Sequence, residues 1–385
     1  MSHTQPSTLH WTIARIAVAF LLGWLLAAWA AAQELAEERK RVLTVAGSVN
    51  SVNLPLQPLN DTLGLVFVRE VNEPLALGLR LRFTIEGEAP ADGSWGIQVK
   101  DATGRPVWST WAGAVGNTGF WSDEINGQAA KVEVYSTRRA NPVRLRIDKI
   151  AVRKDKITPL SITGKNDLLS IVGQDSWIVD RGRSVARLRF VGDDGGYYVC
   201  TAFLVTTDLM LTNQHCIASS TELDSALVDF DFDTDNSMPA TFRLRELLQT
   251  DVALDYALVR LEKPISRPPL RLDSSLPPDG EQLLIIQHPG GEPKQVSIRD
   301  CKVDGTSVQG RVGLGTDFGH QCDTKGGSSG SPVFRFDTKT VVGLHHLGFD
   351  AASQRLINRA VHITRVIADL SPDFRAEVTA GQQAP

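Results

Sequence analysis

Apolar and polar residues alternate over long stretches of the chain. Leu79, Leu81, Phe83 and Ile85 alternate with Gly78, Arg80, Arg82 and Thr84. Val132 and Val134, then Val143, Leu145 and Ile147, keep the same period of two. That period buries one face of a strand and leaves the other in water. Asp92-Gly93, Asn126-Gly127 and Asn141-Pro142 supply turn chemistry between the runs. Short strands separated by turns predict a β-sandwich-like domain over 33–155. Its tryptophans, Trp95, Trp108, Trp111 and Trp121, read as core rather than as a ligand surface.

The pattern then breaks. Residues 150–168, IAVRKDKITPLSITGKNDL, are basic and contain Pro and Gly without sustained periodicity. A linker is predicted over 156–175. Strand patterns resume at Val185–Val191 and Tyr197–Val205, with a short buried run at Leu283–Ile286. Val366, Ile367 and Leu370 stand at helical spacing, which predicts a helix near the end. These features give a second β-rich domain over 176–372 and a C-terminal tail over 373–385.

The first residues carry a different signal. Ile16–Ala32 is apolar and uncharged, Arg15 precedes it, and Ala30-Ala31-Ala32 fits a small-x-small cleavage site. This predicts an export signal over 1–32, with periplasm or secretion as the destination. An uncleaved membrane anchor is the alternative. The composition is that of a globular protein, 42% hydrophobic and 22% charged with a net charge of −4. No basic footprint supports a nucleic-acid partner. Four cysteines, Cys200, Cys216, Cys301 and Cys322, favour disulfides in an exported chain. Their three possible connectivities remain open at this level. No closely spaced cysteine pair supports a zinc site.

Candidate chemistry sits in three segments of the second domain. TKGGSSGSPVF, Thr324 to Phe334, is a Gly/Ser cluster set against apolar residues, which a flexible linker would not be. A serine hydroxyl there needs a base and an orienting acid. His215 follows an apolar strand and neighbours Cys216, which can pair with Cys200. Asp255 precedes Tyr-Ala-Leu-Val and would be carried into a buried strand, where an unpaired carboxylate is costly. Asp251 is the fallback acid.

LTNQHC, DYALVRL and GGSSGSP, in that order, resemble the chymotrypsin-fold serine peptidases. The details are similar to the bacterial branch of glutamyl and lysyl endopeptidases. The resemblance spans roughly 175–370 and implies a double β-barrel, making the chain all-β. It implies a trypsin-like serine endopeptidase acting on proteins or peptides without a cofactor or metal. His215 would be the base, Asp255 the orienting acid and Ser329 the nucleophile. The amides of Gly327 and Ser329 would form the oxyanion hole. Cys200–Cys216 and Cys301–Cys322 are the expected disulfides. Ser328 stands where digestive relatives carry an Asp that pairs with a freed N-terminus, so that activation route is not expected.

For the specificity pocket the resemblance implies Asp323, Thr324 and His345. Thr324 and His345 resemble residues that hold an acidic side chain, whereas Asp323 stands where a basic one is held, and the two signals conflict. His288, His320, His346 and His362 are expected to be structural. Contact with a membrane is expected only if the N-terminal signal is retained. The competing reading is a catalytically silent peptide-binding or adhesion protein on the same fold.

Overall fold

The computed structural model describes residues 33, 39, 43–56, 63–86, 93–115, 119–139, 143–154, 160–162, 165–311, 313–348 and 357–383. The expected export signal, Asp92 and Asn141-Pro142 lie outside the described residues. The chain divides into Met1–Leu43 and a compact unit, Thr44–Pro385. The described strands lie in the second.

The alternating N-terminal runs form two facing sheets. Gly64–Asn72, Ala129–Ser136, Trp95–Asp101 and Pro106–Trp111 make one; Thr44–Leu56, Arg144–Arg153 and Gly78–Glu86 lead the other. Leu79, Leu81, Phe83, Val132, Val134, Leu145 and Ile147 are buried between them, as their period of two requires. Trp95 and Trp121 are core residues, while Trp111 lies on the outer face with 47% exposure.

The second domain is a pair of barrels. Six strands, from Val185–Val191 to Tyr256–Leu261, close on themselves because Val185–Val191 pairs with both Leu227–Phe230 and Gly196–Leu204. In the second barrel Leu283–Gln287, Pro332–Arg335, Thr340–Leu347, Asn358–His362 and Gly313–His320 are neighbours in that order. Single bridges, Gln282 to Lys302 and Val303 to His320, complete its circuit. One apolar cluster spans both barrels, with Phe203, Leu211 and Leu258 from the first and Leu284, Phe334 and Leu344 from the second. The all-β, double-barrel expectation holds. Both disulfides, Cys200–Cys216 and Cys301–Cys322, form as expected.

Three features depart from the simple picture of separate parts. Thr44–Leu56 pairs on one side with Arg144–Arg153 and on the other with the barrel strand Gly196–Leu204, so one sheet runs from sandwich into barrel. A buried ion cluster seals this junction: Glu124 accepts from Arg153 (2.8 Å) and from the Tyr197 hydroxyl (2.7 Å) and also pairs with Arg189. The predicted linker is partly woven into the barrels, with Leu160–Ser161 paired to Thr324–Lys325 and Leu169–Ser170 paired to Gln295–Ser297. The predicted helix is Ile363–Asp369, and the tail forms a second helix, Pro372–Gln383. Pro372 suits a first helical turn, and Asp373 suits the positive end of the helix dipole. Val378 enters the core, and Gln382 donates to the Val205 and Leu270 carbonyls at 3.0 Å each.

Candidate active site

The candidate residues lie on loops beside strands of both barrels, His215 and Asp255 in the first and Ser329 in the second. His215 follows Leu209–Thr212 and is held by the Cys200–Cys216 disulfide beside it. Asp255 ends the turn before Tyr256–Leu261. Its φ of +49° is a left-handed conformation, which Asp tolerates better than most residues. Such strain is retained where surrounding contacts over-determine it. Here the Asn213 side chain fixes the Asp255 carbonyl at 2.8 Å.

His215 and Asp255 meet twice. The His215 Nδ1 lies 2.8 Å from Asp255 Oδ2, and the His215 backbone N–H donates to Oδ1 at 3.0 Å. Burial alone would favour a protonated Asp255. The His215 charge and the hydrogen bonds from His215 and His346 reverse this and hold the carboxyl well below its ordinary range.

Ser329 sits on a turn that glycine makes possible. Gly327 has φ +94° and Gly330 φ +87°. A Cβ at Gly330 would lie 2.0 Å from the Thr201 carbonyl oxygen, and one at Gly327 would lie 2.9 Å from that of His288. The loop is thus pressed against the first barrel, where the Thr201 N–H donates to the Ser329 carbonyl (2.8 Å) and its hydroxyl to that of Gly327 (2.9 Å). Gly330 donates to the His345 carbonyl at 2.9 Å, which ties the loop to the second barrel. The Ser328 hydroxyl accepts from the Lys325 N–H (3.1 Å), and the Ser331 hydroxyl donates to the Ser328 carbonyl (2.6 Å). Both are fully buried, and Ser329 is the most exposed of the three serines at 8%.

The family description "trypsin-like peptidase domain" matches residues 200–344, which include all three segments. That match supports a chymotrypsin-fold serine peptidase over residues 200–344. Among curated proteins, this chain is similar to Secreted RxLR effector protein 73 of Plasmopara viticola, 32% identical over 183 residues, which make up 43% of this chain and 45% of that protein. It is also similar to the uncharacterized protein y4fB of Sinorhizobium fredii, 31% identical over 223 residues, 52% of this chain and 33% of that protein. The chain therefore spans less than half the length of either curated relative. Among solved structures, the active form of the Rv3671c protease from M. tuberculosis matches at 16% identity and a TM-score of 0.42, over 61% of this chain and 95% of that one. An HtrA-type protease, AlgW, with a tripeptide matches at 16% identity and a TM-score of 0.40, over 50% of this chain and 60% of that one.

The three residues expected to line a specificity pocket separate. Thr324 and His345 are buried beside the serine loop: Thr324 heads the strand leading into it, and the His345 N–H donates to the Ser331 carbonyl at 2.9 Å. Burial, with His320, His346 and His215 nearby, pushes His345 well below its ordinary value and keeps it neutral. Its Nδ1 meets His320 Nε2 at 3.1 Å. Asp323 instead accepts from the Asp167 N–H at 3.0 Å and borders a separate cavity of about 440 Å³ with Lys165, Asn166, Asp167, Arg299 and Asp300. Burial and the neighbouring Asp323 push Asp167 up to about 6.

Cys200, His215 and Cys216 place ligand-type atoms close together. Their sulfurs are joined as a disulfide, so no thiolate is available to bind a metal.

Three residues around Asp255 escaped sequence reasoning. Arg311 reaches Asp255 Oδ1 at 3.0 Å, and His346, expected to be structural, reaches Oδ2 at 3.1 Å and Asp317 at 2.7 Å. The His345-His346 pair was the available signal. What it lacked was the backbone: the pairing slips between His345 and Leu347, a β-bulge that leaves His346 without a partner on the facing strand. Bulges of this kind re-aim side chains beside active sites.

Proposed function

We propose that the protein is an exported serine endopeptidase that cleaves peptide bonds through an acyl-enzyme on Ser329. The observation that carries this reading is the paired contact of buried His215 with buried Asp255, at 2.8 and 3.0 Å. The use of the Ser328 and Ser331 hydroxyls inside the turn supports Ser329 as the reacting serine. His215 Nε2 takes the Ser329 hydroxyl proton as Oγ attacks the substrate carbonyl carbon. The Gly327 and Ser329 amides receive the developing oxyanion. His215 then gives the proton to the leaving amine, and water repeats the cycle on the ester. Asp255 holds the imidazole in the required tautomer and stabilises its cation. The two disulfides support an oxidising compartment such as the periplasm or the exterior.

For the side chain before the cut bond, the reading favours an acidic residue over a basic one. The supporting observation is the engagement of the Asp323 carboxylate by the Asp167 N–H, which leaves Thr324 and His345 beside the serine loop.

Labelling of the full chain with a fluorophosphonate probe tests the core of the proposal. Labelling is expected in wild type and in Ser328→Ala and is lost in Ser329→Ala. Loss in Ser328→Ala alone would move the nucleophile by one residue, and absence in wild type would favour the silent peptide-binding reading. Matched peptides with Glu or Lys before the cut test the pocket, and faster cleavage after Lys would overturn the acidic preference.

A further inference from the structure

Asp255 is more heavily engaged than a single imidazole requires. Its Oδ2 receives His215 Nδ1 and His346 Nδ1; its Oδ1 receives the His215 N–H and Arg311. A carboxylate offers about four acceptor positions, so this one is filled. The His346 side chain is fully buried and lies between two carboxylates, with Nδ1 on Asp255 and Nε2 on Asp317. With both carboxylates ionised, each nitrogen faces an acceptor, so each carries a proton and the ring is an imidazolium.

We propose that His346 is a positioning residue for the reaction: a buried cation, secured by Asp317, that fixes the Asp255 carboxylate and offsets its charge beside His215. The proposal rests on the reading of His215, Asp255 and Ser329 as the catalytic set. The chain of contacts runs Asp317, His346, Asp255, His215. His346 belongs to Thr340–Leu347, the strand that also anchors the serine loop through the His345 carbonyl, so one bulged strand serves acid and nucleophile together.

The surrounding charges agree with this arrangement. Burial would lower His346, but the Asp317 charge and the hydrogen bonds to Asp255 and Asp317 push it up to about 9. Asp317 is itself held down by His346 against its burial. The other rings near the cation stay neutral: burial and the His346 charge push His320 down to about 3, and His345 lies well below its ordinary value. Arg311 adds a second positive charge on the opposite oxygen of Asp255, and Arg359 acts on Asp317.

The chemical consequence concerns the resting base. Asp255 acts on His215 through its charge, and the His346 cation, with Arg311 on the opposite oxygen, offsets that charge. His346→Gln removes the charge and retains an amide donor toward Asp255. Its expected effect is a shift of the acid limb of the kcat/KM profile to higher pH by about one unit, the scale of a single charge at short range. Asp317→Asn lets the ring lose its proton and is expected to shift the limb the same way by less.

The experiment compares pH profiles of kcat/KM for wild type, His346→Gln and Asp317→Asn in the full chain, with fluorophosphonate labelling at Ser329 alongside. The histidine ring nitrogens of the wild type are followed by NMR. An imidazolium at His346 that persists at pH 7 and shifted limbs in the variants support the proposal. An active wild type whose variants have superimposable profiles overturns the positioning role and leaves the peptidase reading standing, even if the variants melt earlier. A neutral His346 at pH 7 also overturns it, and does so without relying on a variant that folds. A wild type that neither labels nor cleaves overturns both.

Discussion

Glu124 and Asp255 are both buried carboxylates, and both are held ionised by cations, yet their partners differ in kind. Glu124, at the junction of sandwich and barrel, faces Arg153, Arg189 and the Tyr197 hydroxyl. Burial works against its charge, but Arg189, Arg153 and Arg187 hold it down to about 2. Guanidinium groups keep their charge at any pH a protein meets. Asp255 faces one guanidinium and two imidazoles, His215 and His346. Imidazole is the side chain that gains and loses protons near neutrality. The first cluster is fixed and serves cohesion. The second contains groups that can gain or lose a proton, as the proposed reaction requires.

Substitution of each acid by its amide should separate the two roles. Asp255→Asn should lower kcat on a peptide substrate by roughly 10⁴-fold, because the amide no longer enforces the tautomer that His215 needs. Its melting temperature should move far less than that loss implies. Unchanged kcat would remove Asp255 from the catalytic set. Glu124→Gln should do the reverse and cost about 3 kcal/mol of stability in a denaturant titration, since it removes the charge that faces Arg153, Arg189 and the Tyr197 hydroxyl while Arg189 keeps Asp229. Activity of the folded fraction should persist. A mild stability loss coupled to lost turnover would mean that the junction reports directly on the site.

Alkali should distinguish the clusters next. His346 binds its proton more tightly in the folded state than in the unfolded one, where its ordinary value is 6.5. Its stabilising contribution is therefore complete below about pH 6.5 and is lost as pH rises through about 9. The loss amounts to roughly 3 kcal/mol by linkage. Denaturation measured between pH 6 and 10 should show this slope in wild type and not in His346→Gln, while Glu124→Gln should retain it. The smallest effect is expected at a half-exposed pair, Arg260 with Glu377 of the last helix, at 2.9 Å. Glu377→Ala should cost no more than about 1 kcal/mol, and added salt should erase most of it. A larger cost would mean that the helix, not the ion pair, carries the effect.

The sequence disclosed these regions unequally. The candidates His215, Asp255 and Ser329 could be picked out because each lies in a compact motif, and the motif order matches one peptidase arrangement. The sandwich strands were legible because a period of two has one structural solution. The pairing of Thr44–Leu56 with Gly196–Leu204 was not, since backbone ladders between distant segments leave no mark on side-chain pattern. Glu124 reads as one acid among many until Arg189 and Tyr197 are brought to it from the other domain. His346 was missed for a related reason, because a bulge is a property of pairing, not of composition. Pro372–Gln383 resembled a tail because its packed side chains are few, Phe374, Val378 and Gln382.

The ladder between Thr44–Leu56 and the barrel also bears on how the molecule comes apart. A protease that nicks the connection after Lys154 would cut one chain into two without releasing either. Hydrogen-bonded strands and the Glu124 cluster would keep the fragments clasped, so a denaturing gel would show two bands where a sizing column shows one particle. Shedding the sandwich would bare the edge of Gly196–Val199, and an unpaired edge is a template for another chain. In this protein the N-terminal domain is also the shield of a sticky seam.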